Sequence, residues 1–329
     1  MGYALAPTRI VQVRPWQRPR TSASQPLLGW QLCSPPAPPI SPQARLENFR
    51  AEAAAPTLHE TPPHVLESVD MSAALSIDNV RQSLIRQEET IIFSLIERAQ
   101  FARNDRVYRS EGIPVPSFSP SGQRRSLLEY LLRETEQIHG RIRRYTSPDE
   151  QAFYPEDLPD LVLPRIQYDE VLAPNHREIS VNSKIMKMYL DHLLIGITSP
   201  GDDNNYGSAA MYDVLCLQAL SKRIHYGKFV AEAKFRRQYD QYRPLIEARD
   251  AEGIMRTLTD TAVEQKVIER VRRKASFYGQ DPGAAEEGHK VPPETVASLY
   301  EQWVMPLTKE VQVAYLLRRL EYPDHHLCS

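Results

Sequence analysis

Apolar residues recur at three- and four-residue steps from Ser76 onward: Ile77, Val80, Leu84, Ile91, Ile92, Leu95 and Ile96. That is the period of one helix face. The spacing predicts a helix through about residue 102, with Asp78 near its start favouring the helix dipole. Pro114, Pro116, Pro120 and Gly122 then interrupt the pattern, and a second helix is predicted from about Arg125 to Arg143. Residues 146–176, punctuated by proline, read as an extended, ordered connection. Helical periodicity resumes at roughly 181–197, 207–236, 239–249, 251–259, 261–277 and 293–320. Gly279, Pro282, Gly283 and Gly288 mark the loop before the last helix, and Pro292 and Pro293 suit its first turn. No strand-period segment of convincing length occurs. The pattern predicts an all-α fold, a multi-helix bundle forming one domain over residues 71–329.

Composition narrows the function classes. Of 329 residues a quarter are charged, with a net charge of -2, which gives no electrostatic footprint for nucleic acid. No run of about 18 apolar residues exists, so no membrane span is expected. Cys33, Cys216 and Cys328 are odd in number and far apart, without metal-ligand spacing; no metal site is expected, and a reducing, cytoplasmic setting is the simplest reading. Twelve of the 27 prolines precede residue 71, and residues 1–70 read as a disordered, proline-rich extension outside the fold. No acidic residue precedes Glu47, while Arg9, Arg14, Arg18, Arg20 and Arg45 are present. That bias makes an organellar transit peptide the lesser reading. Translation from Met71, or a mispredicted upstream exon, is the other.

Candidate chemistry lies in the last third. Arg223 and Lys234, Asp260 and Glu264, and Thr308 and Gln312 sit eleven or four residues apart, so each pair shares a helix face. Taken singly, each has an ordinary explanation: a solvated cationic face, carboxylates complementing a helix N-terminus, or a turn-capping threonine beside a surface glutamine. Arg223 and Lys234, however, are set among Ile224, Phe229, Val230, Ala231 and Ala233, and Gly227 permits close approach of another backbone. Three coincident polar faces in otherwise apolar helices suit a pocket for a small, anionic, hydroxylated ligand.

The stretches RIHYGKFVAEAKF, GIMRTLTDTAVEQK and PLTKEVQVAYLLRRL resemble the all-helical chorismate mutases of fungi and plants. So do SLIRQEETIIFSLIERAQF, RIRRYTSPDEQAFYPEDLP and GDDNNYGSAA, and the resemblance runs in order over roughly residues 72–321. It implies rearrangement of chorismate to prephenate without cofactor or covalent intermediate. By resemblance, Arg81 and Arg223 bind the two substrate carboxylates and Lys234 donates to the ether oxygen. Glu264 binds the substrate hydroxyl, and Thr308 makes a contact in the last helix. Gln312 stands where the fungal enzymes carry a glutamate that must be protonated to donate, and Asp260 replaces the family asparagine.

The resemblance also implies a homodimer that binds aromatic amino acids, tyrosine and tryptophan, between subunits through Arg143, Arg144, Asn204, Asn205, Gly207 and Ser208. Met211 and Pro292 both replace a threonine, which alters the expected effector preference. A noncatalytic helical scaffold derived from the same fold is the alternative, and its mark would be loss of Arg81, Arg223 or Lys234; all three are present. A coiled-coil module is excluded because proline-rich connections break the period before several heptads accumulate.

Overall fold

The computed structural model describes residues 76–115, 124–166, 168, 170–280 and 289–321. The expectations for residues 1–70, Cys33, Cys328, Pro116, Pro120, Gly122, Pro282, Gly283 and Gly288 lie outside the described residues.

Helix α1 (Ile77–Arg98) starts where the Ser76 side chain accepts from the Asn79 N–H at 3.2 Å. Its Ile91, Ile92, Leu95 and Ile96 are buried, and the helix packs along α5 (Tyr206–His225). Helix α2 (Leu127–Arg141) opens on a reciprocal capping box between Ser126 and Glu129 and also packs on α5. The described residues of 146–176 form an irregular connection of turns and short 3₁₀ segments, as the prolines predict. Glu136 of α2 holds this connection by accepting from the N–H groups of Phe153 and Tyr154 at 2.8 and 3.0 Å.

The helix expected at 181–197 is interrupted. Helix α3 (Asn182–Met188) passes through a π turn, Tyr189–Leu193, into α4 (Leu194–Ile197). After α5 the chain turns at Tyr226 into α6 (Gly227–Arg237), followed by α7 (Tyr239–Glu247), α8 (Ala251–Leu258) and α9 (Thr261–Tyr278). Helix α10 (Pro293–Leu299) meets a second π turn, Tyr300–Val304, and continues as α11 (Met305–Leu317). Pro306 lies two residues past this π turn. Having no N–H, it cannot serve the Gln302 carbonyl in an ordinary helical ladder, so a wider turn fits there. The two π turns meet where His192 stacks on Trp303, with ring centres 4.9 Å apart.

Two buried ionic networks lock the bundle. Arg98 pairs with Asp213 at 2.5 Å, and Asp213 also accepts from Tyr108 and Tyr189. At the other end Glu232 receives Arg319, Arg236 and the Tyr315 hydroxyl, joining α6 to the end of α11. Breaking such a pair would leave an uncompensated buried charge, so both networks fix helix register. Among the described residues no strand forms beyond an isolated bridge between Gln280 and His289, and no helix is long and apolar enough to cross a membrane.

Candidate active site

The site begins at Gly227. A Cβ there would stand 2.9 Å from the Thr308 carbonyl oxygen, 3.1 Å from Thr308 Cγ2 and 3.4 Å from Gln312 Cγ. The absent side chain therefore lets α6 and α11 meet at backbone distance. Arg223 lies one helical turn before this contact and Lys234 two turns after it. Thr308 and Gln312, on the facing helix, are both buried. Thr308 Oγ1 donates to the Val304 carbonyl at 2.5 Å, and Gln312 Nε2 donates to the Thr308 carbonyl at 3.3 Å. Turning the amide over would set two oxygens against each other, so Nε2 keeps this place and retains a second hydrogen to donate.

Arg223 is 5% exposed, and its Nε and Nη1 have no hydrogen-bond partner among the described residues. Its guanidinium carbon lies 5.8 Å from the centre of the Tyr300 ring. Burial raises the Tyr300 phenol well above its ordinary range, with the Arg223 charge opposing the shift. A buried guanidinium with open donors is costly without an anion.

Lys234 donates to the Leu258 carbonyl at 2.8 Å. Burial lowers its ammonium below the usual lysine range; Asp260 and Glu264 oppose the shift and Lys309 adds to it. Asp260 is exposed and caps α9, accepting from the Val263 N–H at 3.1 Å. Glu264 lies one turn into the same helix and pairs with Lys309 at 3.0 Å, next to Thr308. Lys234, Asp260, Glu264 and Lys309 thus act on one another electrostatically, Thr308 and Gln312 face Gly227, and Arg223 faces Tyr300.

Arg81 is not gathered with them. Its side chain is 62% exposed and pairs with Asp78 at 3.0 Å. A buried ion pair that its spacing did not mark joins α1 to α9. Glu88, fully buried, accepts both Arg270 Nη2 at 2.6 Å and Arg270 Nε at 2.9 Å, and Lys274 adds a contact at 3.3 Å. The charges of both Glu88 and Arg270 reach Tyr300. A charged residue one turn before the apolar Ile91 and Ile92 was the available signal for Glu88. Lys309, Arg270 and Tyr300 gave none.

The second set divides in two. Arg144 Nη1 reaches His139 Nδ1 and Gln218 Oε1 at 2.8 Å, and its Nε donates to Glu150 at 3.1 Å. Arg143, at φ 74°, donates to the Pro164 carbonyl at 2.9 Å. Asn204, at φ 64°, and Asn205 lie in an exposed turn, with Gly207 and Ser208 in the first turn of α5. Asp203 holds this turn against Asn104 at 2.9 Å. Gln218, the α5 residue that Arg144 reaches, lies ten positions beyond Ser208, about 15 Å along the helix. One chain does not bring the two halves together.

Residues 205–313 match the family model described as chorismate mutase type II. The chain is 48% identical to chorismate mutase 1, chloroplastic, of Petunia hybrida, covering 77% of this chain and 78% of that one. A crystal structure of the Aro7p chorismate mutase from Candida albicans, in complex with L-Trp, superposes with a TM-score of 0.72 at 45% identity, over 77% of this chain and 95% of that one. The structure of AtCM1 with tyrosine bound in its allosteric site gives a TM-score of 0.70 at 44% identity, over 77% and 100% of the two chains.

Proposed function

The chain belongs to the chorismate mutases, isomerases that convert chorismate to prephenate, and on that premise we propose that the Gly227 seam is its reaction site. The observation that carries the assignment is Arg223, a buried cation with Nε and Nη1 open. A substrate carboxylate supplies the anion that its environment lacks, through charge-assisted hydrogen bonds of roughly 1.5 to 3 kcal/mol each. Arg81, exposed and within reach of solvent, takes the second carboxylate by leaving Asp78.

Lys234 and Gln312 direct N–H groups at the ether oxygen, where negative charge grows as the C–O bond breaks. Fixed donors at such a point stabilise the transition state more than the ground state. Glu264 accepts from the substrate hydroxyl, with Asp260 beside it and Thr308 closing the wall. Holding the substrate folded contributes the entropic share. No bond to the protein forms and no cofactor enters. Loss of chorismate absorbance with the full chain, abolished by Arg223→Ala, tests the assignment; undiminished turnover in that variant would refute it.

The same reading pairs two copies of the chain. The basic end of α2 and the Asn204–Ser208 turn are too far apart in one copy to share a ligand, and a second copy brings one against the other. Met211 and Leu215 along α5, and Ile138 and Ile142 along α2, are exposed apolar pairs that such a contact covers. An aromatic amino acid binds between the copies; tyrosine and tryptophan are the candidates, since the AtCM1 structure holds tyrosine in its allosteric site and the Candida albicans structure is a complex with L-Trp. Met211 offers it no hydroxyl. The reading places the enzyme in the cytoplasm, with Met71 heading the family-like region; cell fractionation tests this against an organellar location.

A further inference from the structure

A cavity of about 450 Å³ lies between the turn after α2 and Arg165, Ile166, Tyr168 and residues 170–177, and it shares no residue with the reaction site or the effector set. Tyr145, Tyr168, Leu172 and Pro174 give it apolar and aromatic walls. Arg165, Arg177 and His176 also line it, with Glu170 as the acidic residue among the lining groups.

Two arginines stand against one carboxylate here. Arg177 Nη1 and Nη2 donate to the carbonyls of Tyr145 and Thr146 at 2.8 and 2.7 Å, so backbone rather than a carboxylate holds the guanidinium. His176 is 9% exposed, and its buried Nδ1 has no hydrogen-bond partner among the described residues. Behind it stands Lys228, 2% exposed, whose Nζ donates to Gln151 Oε1 at 2.9 Å. The charge of Arg177 acts on both Lys228 and His176, and Lys228 acts on His176 as well. Burial and the neighbouring Arg177 pull the Lys228 ammonium down to about 7. An anion at the open side of the cavity offsets the charge of the exposed Arg177 and of the buried Lys228 near it.

We propose that this cavity is a binding site for a carboxylate carried on an apolar ring. The carboxylate meets Arg165, Arg177 and the open face of His176, and the ring lies against Tyr145, Tyr168 and Leu172. The site rests on residues independent of the proposed reaction pocket.

The test uses the full chain carrying Arg223→Ala, so that the reaction pocket no longer offers its anion acceptor. Calorimetric titration with benzoate should show one saturable site per chain, and benzylamine should not bind. Arg165→Ala and His176→Phe should each weaken benzoate binding about ten-fold. Arg165 is exposed, so its variant keeps the test decisive should His176→Phe misfold. Absence of saturable binding, or binding unaltered by Arg165→Ala, would overturn the proposal. Inorganic phosphate binding as tightly as benzoate would overturn the ligand class.

Discussion

Gly227 and Thr308 touch across the seam between α6 and α11 so closely that one methyl group on the glycine would stand 2.9 Å from the threonine carbonyl oxygen. The contact sets where Thr308 and Gln312 face Arg223 and Lys234. Gly227→Ala must therefore push the helices apart or strain the carbonyl. The expected cost is about 1 to 3 kcal/mol of stability, with a fall in kcat as the Gln312 amide moves off line. Thermal unfolding alongside steady-state kinetics checks both, and wild-type values for each would show that the seam yields freely.

Arg223 separates stability from function. Its open Nε and Nη1 are buried, so Arg223→Met removes an uncompensated charge while keeping much of the volume. The variant should melt no lower than wild type, yet lose about 100-fold or more in kcat/KM. A marked drop in melting temperature would mean that the arginine is structural.

Two buried histidines set an acid limit on stability. His225 donates through Nδ1 to the Ser221 carbonyl at 2.8 Å and accepts the Val181 N–H at Nε2, 3.0 Å away. Both ring positions are thus satisfied by the neutral form. Burial, with Lys228 nearby, pushes His225 and His176 down to about 3 from the ordinary 6.5. Above pH 6.5 both states are neutral and these groups add no pH dependence. Below it the unfolded chain binds protons that the folded chain refuses, so stability falls by about 1.4 kcal/mol per pH unit per histidine. The fall ends near pH 3. Denaturant titrations at several pH values should show a shallower slope in His225→Gln, and identical slopes would refute the assignment.

The proposed pairing of two copies predicts that Leu215→Lys, an exposed change on α5, shifts sedimentation toward the single chain without lowering its unfolding temperature. Tyrosine or tryptophan binding should be lost with it. A mass unchanged by the substitution would place the contact elsewhere.

The helices were legible because they depend on local spacing, whereas Arg223 and Lys234, read as sharing one helix face, fall on two helices that part at Tyr226. Ile91 through Ile96 recur at helical steps and are buried, and Gly227 marked a close approach before its partner was known. The interruptions were less legible. The π turn at Tyr300–Val304 had a signal in Pro306, whereas the one at Tyr189–Leu193 carries no proline and is found where His192 stacks on Trp303. Asp260 fits the ordinary reading as well as the functional one, since it caps α9. The pairings Glu88 with Arg270 and Glu264 with Lys309 cross 182 and 45 residues, beyond any local period. Arg81 faces solvent in the structure, and it entered the candidate site through the family resemblance alone, with no spacing to point to it.

The most direct test is the pH dependence of chorismate consumption by the full chain and by its Gln312→Glu variant. An amide donates at every pH, so wild-type turnover should stay level from mildly acidic conditions until Lys234 loses its proton, below the ordinary lysine range. The variant should acquire a falling limb as the new carboxyl ionises. Superimposable profiles, or no turnover by the folded wild-type chain, would contradict the account.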